Sequence, residues 1–160
     1  MSREKESKGN EETGGGNKTR GEKGSNENKT PSDLFRKTII VKKDDLDELN
    51  HVNNVRYVQW IQDISKEHWM TSASESMREG VIWVVMHHDI RYKNSAQLGD
   101  VIQVGTYIEK SRGAVSVRIV EMRNAETDTL LVRSRTEWCL LNEKTLKPIR
   151  ISEEVKRLFG

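Results

Sequence analysis

Residues 44–69 read DDLDELNHVNNVRYVQWIQDISKEHW, an acidic and amide-rich stretch that runs straight into a segment of helical period. Tyr57, Trp60, Ile61 and Ile64, continued by His68, recur three or four residues apart and so share one face of a helix. Gln59, Gln62, Asp63 and Lys66 take the other side, and Asn53 or Asn54 can cap the first turn. Outward from this helix the chain turns strand-like. The apolar and alternating runs predict long strands over 82–92, 100–110, 115–122 and 130–141, an opening strand at 38–41 and a short closing helix at 153–159. Turn-favouring residues at 94–100, 111–113 and 124–129 make the last three strands an antiparallel meander. One principal helix cannot cover both faces of such a sheet. The simplest architecture is therefore an α+β domain with a curved antiparallel sheet around the helix, and with subunits paired to cover the rest.

The two ends of the 160-residue chain differ in what they can fold. Residues 1–33 hold 6 of the 11 glycines and, apart from Met1, no apolar side chain, so they cannot bury surface to offset the entropy of ordering. The expected organisation is a disordered polar tail over 1–33 and one folded domain over 34–160, too small for a two-domain enzyme with its own cofactor domain. The chain carries 27 basic and 25 acidic groups; the tail contributes 7 of each, so the whole excess of +2 sits in the body. That balance, without a basic stripe interleaved with exposed aromatics, argues against nucleic-acid binding. The one cysteine, Cys139 in the run WCLL, excludes an intrachain disulfide and a cysteine-rich metal cluster and reads as a buried small hydrophobe. With no apolar run near 18 residues and no secretory h-region, the expectation is a cytoplasmic protein without membrane insertion.

The chemistry concentrates in Asp44–Asn54, where carboxylates, amides and one histidine precede a helix start. First-turn amides of a helix lack intrahelical acceptors, so polar groups gathered there can act on a carbonyl whose oxygen becomes negative. A solvated acidic turn followed by a cap is the plainer reading. Calcium does not fit, because the order lacks the glycine and terminal glutamate of an EF-hand loop. Zinc fits no better: His51 has no HxxxH partner, and His87 and His88, adjacent on a strand, point to opposite faces. Tyr57 and Trp60 read as core packing, with an aromatic ligand cage as the alternative.

The segment DLDELNHVNNVRYVQWIQD strongly resembles the signature of hot-dog-fold thioesterases, especially the 4-hydroxybenzoyl-CoA thioesterase-like group and the plant-type acyl-ACP thioesterases. A second segment, IRYKNSAQLGDVIQV over 90–104, is similar to their IxYxxPAxxGD pattern, with Ser95 in place of the frequent proline. The resemblance covers about 35–141. It implies a hot-dog fold with one central α-helix, a thioester substrate, and a homodimer or dimer of dimers with active sites near the subunit boundary. Carried over by position, Asp47 and His51 match the acid and histidine of the acyl-ACP branch. Asp47 also matches the base or nucleophile of the hydroxybenzoyl-CoA branch, across a gap. Asp45 matches the first acid of the DxD, and Asn53 and Asn54 match the asparagines that support the helix entry. Leu49 stands where the acyl-ACP pattern has an asparagine, and this departure points to an acyl-CoA donor.

The implied function is hydrolysis of an acyl-CoA to free acid and CoA, in fatty acid metabolism. Asp47 would activate water or attack the carbonyl itself; amides over Asn50–Asn54 would stabilise the oxyanion, with His51 orienting the thioester and Asp45 shaping the field. Tyr57, Trp60 and Trp83 would define the acyl pocket, and no cofactor or metal is called for. The alternatives are an acyl-ACP thioesterase, a hot-dog dehydratase, and a non-catalytic acyl-thioester-binding protein.

Overall fold

The computed structural model describes residues 34–160, so the expected tail lies outside the described residues. In chain order the elements are β1 (Phe35–Ile40), a 3-10 turn at Lys43–Asp45, α1 (Asn54–Ser72), α2 (Glu75–Arg78), β2 (Val81–Tyr92), β3 (Val101–Arg112), β4 (Val115–Asn124), β5 (Leu130–Asn142) and α3 (Glu153–Leu158). The five strands form one sheet in the order β1-β3-β4-β5-β2, with every neighbouring pair antiparallel. The expected meander is present. Its first turn is tight because Gly113, at a φ of 61°, takes the left-handed conformation that side chains resist. At the second turn the Asn124 side chain accepts the Glu126 and Thr127 amides. The 3-10 turn and α2 are additions to the elements expected from the sequence.

All five residues of the expected helix face are buried: Tyr57, Trp60, Ile61, Ile64 and His68. The first four pack on Ile102, Val104, Val120, Met122 and Val132, which the period of two brings to one face of β3, β4 and β5. This is the hot-dog arrangement, one helix laid against an antiparallel sheet. A smaller apolar cluster, Leu140, Ile151 and Val155 with Trp69 and Trp83 against it, closes the far end beneath α3.

The other face of the sheet differs from expectation. Instead of bare apolar surface, β3–β5 carry Glu121 paired with Arg133 and Arg123, and Arg135 paired with Glu109 and Glu137. In the strand register Ile119 faces Arg135 and Val117 faces Glu137, so the outward apolar residues of β4 lie within this ionic lattice and are themselves buried. β2 is a 12-residue edge strand, bulged between Val85 and His87, with Met86 exposed at the bulge.

Candidate active site

The loop between β1 and α1 is held by its own acids. Asp45, almost buried, accepts the Lys42 amide through Oδ2 at 2.8 Å and pairs through Oδ1 with Arg56 Nε at 2.8 Å. Its backbone carbonyl accepts the Asn53 amide. Both carboxylate oxygens of Asp45 thus serve the loop and the first turn of α1. Asp47 is placed differently. Its Oδ1 accepts the Leu49 amide at 2.8 Å and the His51 amide at 3.2 Å, whereas Oδ2 has no partner among the described residues. The Asp47 amide in turn donates to the His51 carbonyl at 2.7 Å, which closes a tight turn with Asn50 at a φ of 59°. His51 is anchored at both ends of its backbone and half-buried, with no side-chain hydrogen bond among the described residues.

Of the amides over Asn50–Asn54, four are already engaged. Asn50 donates to Asp47 O, His51 to Asp47 Oδ1, Val52 to Ala96 O, and Asn53 to Asp45 O. Asn53 is the N-cap, its Oδ1 accepting the Val55 amide at 3.0 Å. The amide left without an acceptor among the described residues is that of Asn54, the first residue of the helix. The broad amide cradle expected from the sequence narrows to one donor. Leu46, Asp47, Glu48, Leu49 and Asn53 border an open depression, and the side chain of Leu49 stands 74% exposed at its rim.

Ala96 joins the two segments that the sequence singled out. Fully buried, it donates its amide to the Tyr57 hydroxyl at 3.2 Å and accepts the Val52 amide at 3.0 Å. The loop after β2 and the loop before α1 are stitched through this residue, and Tyr57 is a strut between them. Burial pushes the pKa of the Tyr57 hydroxyl up, so it stays neutral and accepts that bond.

The model of the acyl-ACP thioesterase N-terminal domain family matches residues 32–159. The chain belongs to that family. A palmitoyl-acyl carrier protein thioesterase of Gossypium hirsutum is 30% identical over 82 residues, 51% of this chain and 20% of that protein. The matched stretch thus spans about a fifth of the length of the curated relatives. Among solved structures, the YbaW probable thioesterase from Escherichia coli superposes with a TM-score of 0.71 at 20% identity, over 77% of this chain and 94% of that one. The 12:0-ACP thioesterase from Umbellularia californica gives 0.70 at 18% identity, over 79% of this chain and 51% of that one. At these identities the two structures speak for the hot-dog fold alone.

In this acyl-ACP thioesterase family domain the aromatic residues expected around an acyl pocket separate. Tyr57 and Trp60 are core, stacked edge to face at 5.6 Å. Trp83, half-buried, borders a cavity of about 720 Å³ beneath the C-terminal half of α1. His87 is exposed, whereas His88 turns in and bonds Thr136 Oγ1 through Nδ1 at 2.8 Å, so the pair does diverge. Sequence reasoning missed Arg56, whose signal was its i+3 position after Asn53 on the first helical turn. It also missed Ala96, which carried no chemical signal at all.

Proposed function

We propose that this chain hydrolyses an acyl thioester at the entrance of α1, with Asp47 as the acid that acts on the substrate. Membership of the acyl-ACP thioesterase family supports the reaction class. The single observation that carries the assignment within the site is the unequal use of the two acids: Asp45 has both oxygens engaged, whereas Asp47, on the border of the open depression, is fixed by two amides through Oδ1 and keeps Oδ2 without a partner among the described residues. With Asp47 as base, Oδ2 takes a proton from water, the oxygen adds to the thioester carbonyl, and the tetrahedral intermediate collapses with loss of the thiolate. With Asp47 as nucleophile, the carboxylate adds to the carbonyl, the C–S bond breaks with loss of the thiolate, and water then hydrolyses the resulting mixed anhydride to the free acid and the Asp47 carboxylate. Either route places a negative oxygen near the Asn54 amide, with His51 to orient the thioester and Asn50 and Asn53 to hold the loop.

The donor reads as CoA because Leu49 occupies the position of the acyl-ACP asparagine; the family match over 32–159 favours an acyl-ACP donor as the second reading. Fatty acid metabolism in the cytoplasm is the setting this implies. The long free edge of β2 supports a homodimer, or a dimer of dimers, formed by strand pairing at that edge. Among the described residues, no helix is long and apolar enough to cross a membrane.

The test is a pair of substitutions. Asp47→Asn keeps the size and the Oδ1 bonds and removes the carboxylate, so kcat/KM on the best thioester should fall by about 10²–10⁴ while circular dichroism is unchanged. Asp45→Asn should be milder. The reverse order would move the chemistry to Asp45, and full activity of Asp47→Asn would remove this mechanism.

A further inference from the structure

At the opposite end of α1 the interior is charged in a way the thioester site does not use. Arg118 on β4 is only 5% exposed and faces the helix, on the side of Val120 and Met122. Its Nη1 donates to His68 Nδ1 at 2.9 Å and to Thr106 Oγ1 at 3.0 Å, and Phe159 lies against it with 6.0 Å from guanidinium carbon to ring centre. No carboxylate pairs with it among the described residues, and neither Nε nor Nη2 has an acceptor there. His68 cannot balance the charge. Burial and the neighbouring guanidinium push its pKa down to about 4, so near neutral pH it is an uncharged acceptor. A buried guanidinium without a counter-charge is costly, which makes the missing partner informative.

Trp138 Nε1 is buried with no hydrogen-bond partner among the described residues. In the register Trp138 stands opposite Ser116 and Thr136 opposite Arg118, so the indole is the diagonal neighbour of Arg118 on the same face. Arg118 and Trp138 both border the cavity of about 720 Å³, a size ordinary for a small-molecule site. Arginine and tryptophan side chains donate and never accept. What Arg118 lacks is therefore an acceptor for Nε and Nη2, and its charge calls for an anionic one. Lys66 and Arg78, also at the cavity, add to the positive field, while the one acid there, Asp63, accepts from Gln59. Trp69, Ile82, Trp83, Ile108 and Val155 form an apolar stretch of the wall, while Gln62, Ser65, Ser111 and Ser116 add polar groups to the rest.

We propose that this cavity binds the carboxylate of an otherwise hydrocarbon ligand, held by the free Nε and Nη2 edge of Arg118. That edge of a guanidinium matches the two oxygens of a carboxylate in a fork, and the apolar walls take the chain. Between Asn54 and His68 the helix rises about 21 Å, so a carboxylate on Arg118 lies far from Asp47. It belongs either to the distal end of a dicarboxylic acyl chain or to a free fatty acid seated head-inward. The choice between these sources rests on the thioester reading; the binding site itself does not.

The experiment is calorimetric titration of the full chain with decanoate and with decanol, which share the hydrocarbon body and differ in the carboxylate. Decanoate should bind tighter by on the order of 10–100-fold, the range of a charge-assisted hydrogen bond. Arg118→Met, which also removes an uncompensated buried charge and so should fold, should abolish that preference and keep decanol binding. Equal affinity for the two ligands in the unaltered chain, or a preference undiminished in Arg118→Met, overturns the proposal. Turnover of decanoyl-CoA and of the mono-CoA thioester of decanedioic acid, measured alongside, separates the sources. Faster turnover of the dicarboxylic substrate indicates the distal carboxyl, and decanoate binding without that advantage indicates the free acid. A decanoate preference without turnover of either thioester leaves this site standing and counts against hydrolysis of CoA thioesters of this chain length, whereas turnover without the preference removes this site and keeps the hydrolase reading.

Discussion

The two ends of α1 handle polar groups in opposite ways. At its N-terminus the Asp44–Asn54 loop lies near the surface, yet its backbone is held by many bonds: Asp45 with Lys42 and Arg56, Asp47 with Leu49 and His51, Asn53 with Val55, and Val52 and Tyr57 with Ala96. Near its C-terminus the sheet face is buried, and there Arg118 lacks a counter-charge while Trp138 Nε1, His88 Nε2 and Ser134 Oγ are unpartnered among the described residues. Solvent would have satisfied the loop at little cost, so its dense bonding fixes a geometry. The buried face has no such recourse, and the open valences of Arg118 mark where the proposed ligand binds. An exposed but rigid loop suits chemistry, and an interior left short of acceptors suits recognition.

The sharpest probe of the buried end is pH. His68 has its pKa lowered from 6.5 to about 4, so between those values the unfolded chain binds more protons than the folded one. Stability should therefore rise as pH climbs from about 4 to 6.5 and be lost on descending through that window, by on the order of 2–3 kcal/mol from this group. His68→Gln keeps an acceptor for Arg118 but cannot titrate, so urea unfolding across the window should show a smaller slope than the unaltered chain. Identical slopes would mean that His68 is not held neutral by its surroundings.

At the loop end, Ala96→Val adds methyl groups at a fully buried junction and should destabilise by about 1–3 kcal/mol, with a lower melting temperature. An unchanged melting temperature would show that the two segments are joined more loosely than the Ala96 bonds imply. A smaller effect, about 1 kcal/mol, is expected for Asp45→Asn, which weakens a partly exposed ion pair with Arg56 but retains an amide oxygen for Lys42. The smallest concerns residues 1–30. Their removal should leave melting temperature and turnover as they are, because this stretch offers almost no apolar surface; loss of folding would contradict that organisation.

Much of the loop end was legible in the sequence. Helical spacing put Tyr57, Trp60, Ile61, Ile64 and His68 on one face, and all five are buried. The cap at Asn53 and the meander followed from local chemistry that needs no tertiary context. The buried end was hidden because local pattern pointed the wrong way. In Val115–Met122, VSVRIVEM, valine and isoleucine at 115, 117 and 119 alternate with Ser116 and Arg118, which reads as a strand with its arginine in water. Val120 and Met122 belong to the core under α1, and a period of two then forces Arg118 and Ser116 to the same inward face. The outward residues Val117 and Ile119 are covered instead by the ionic lattice of Glu109, Glu121, Arg133, Arg135 and Glu137. Register is a long-range property, and no window of eight residues contains it. For the same reason Ala96 was invisible, since its importance lies in what the fold brings to it.

The claim on which the functional account turns is that this chain itself cleaves thioesters, and the direct measurement is thiol release by the purified protein. A panel of short, long and aromatic acyl-CoAs and acyl-ACPs, assayed with a thiol-reactive dye, tests activity and donor together. The account predicts catalytic release of free thiol from at least one donor, with CoA thioesters preferred. Stoichiometric binding of a thioester with no thiol released from any member of the panel would contradict it and leave an acyl-binding protein in its place.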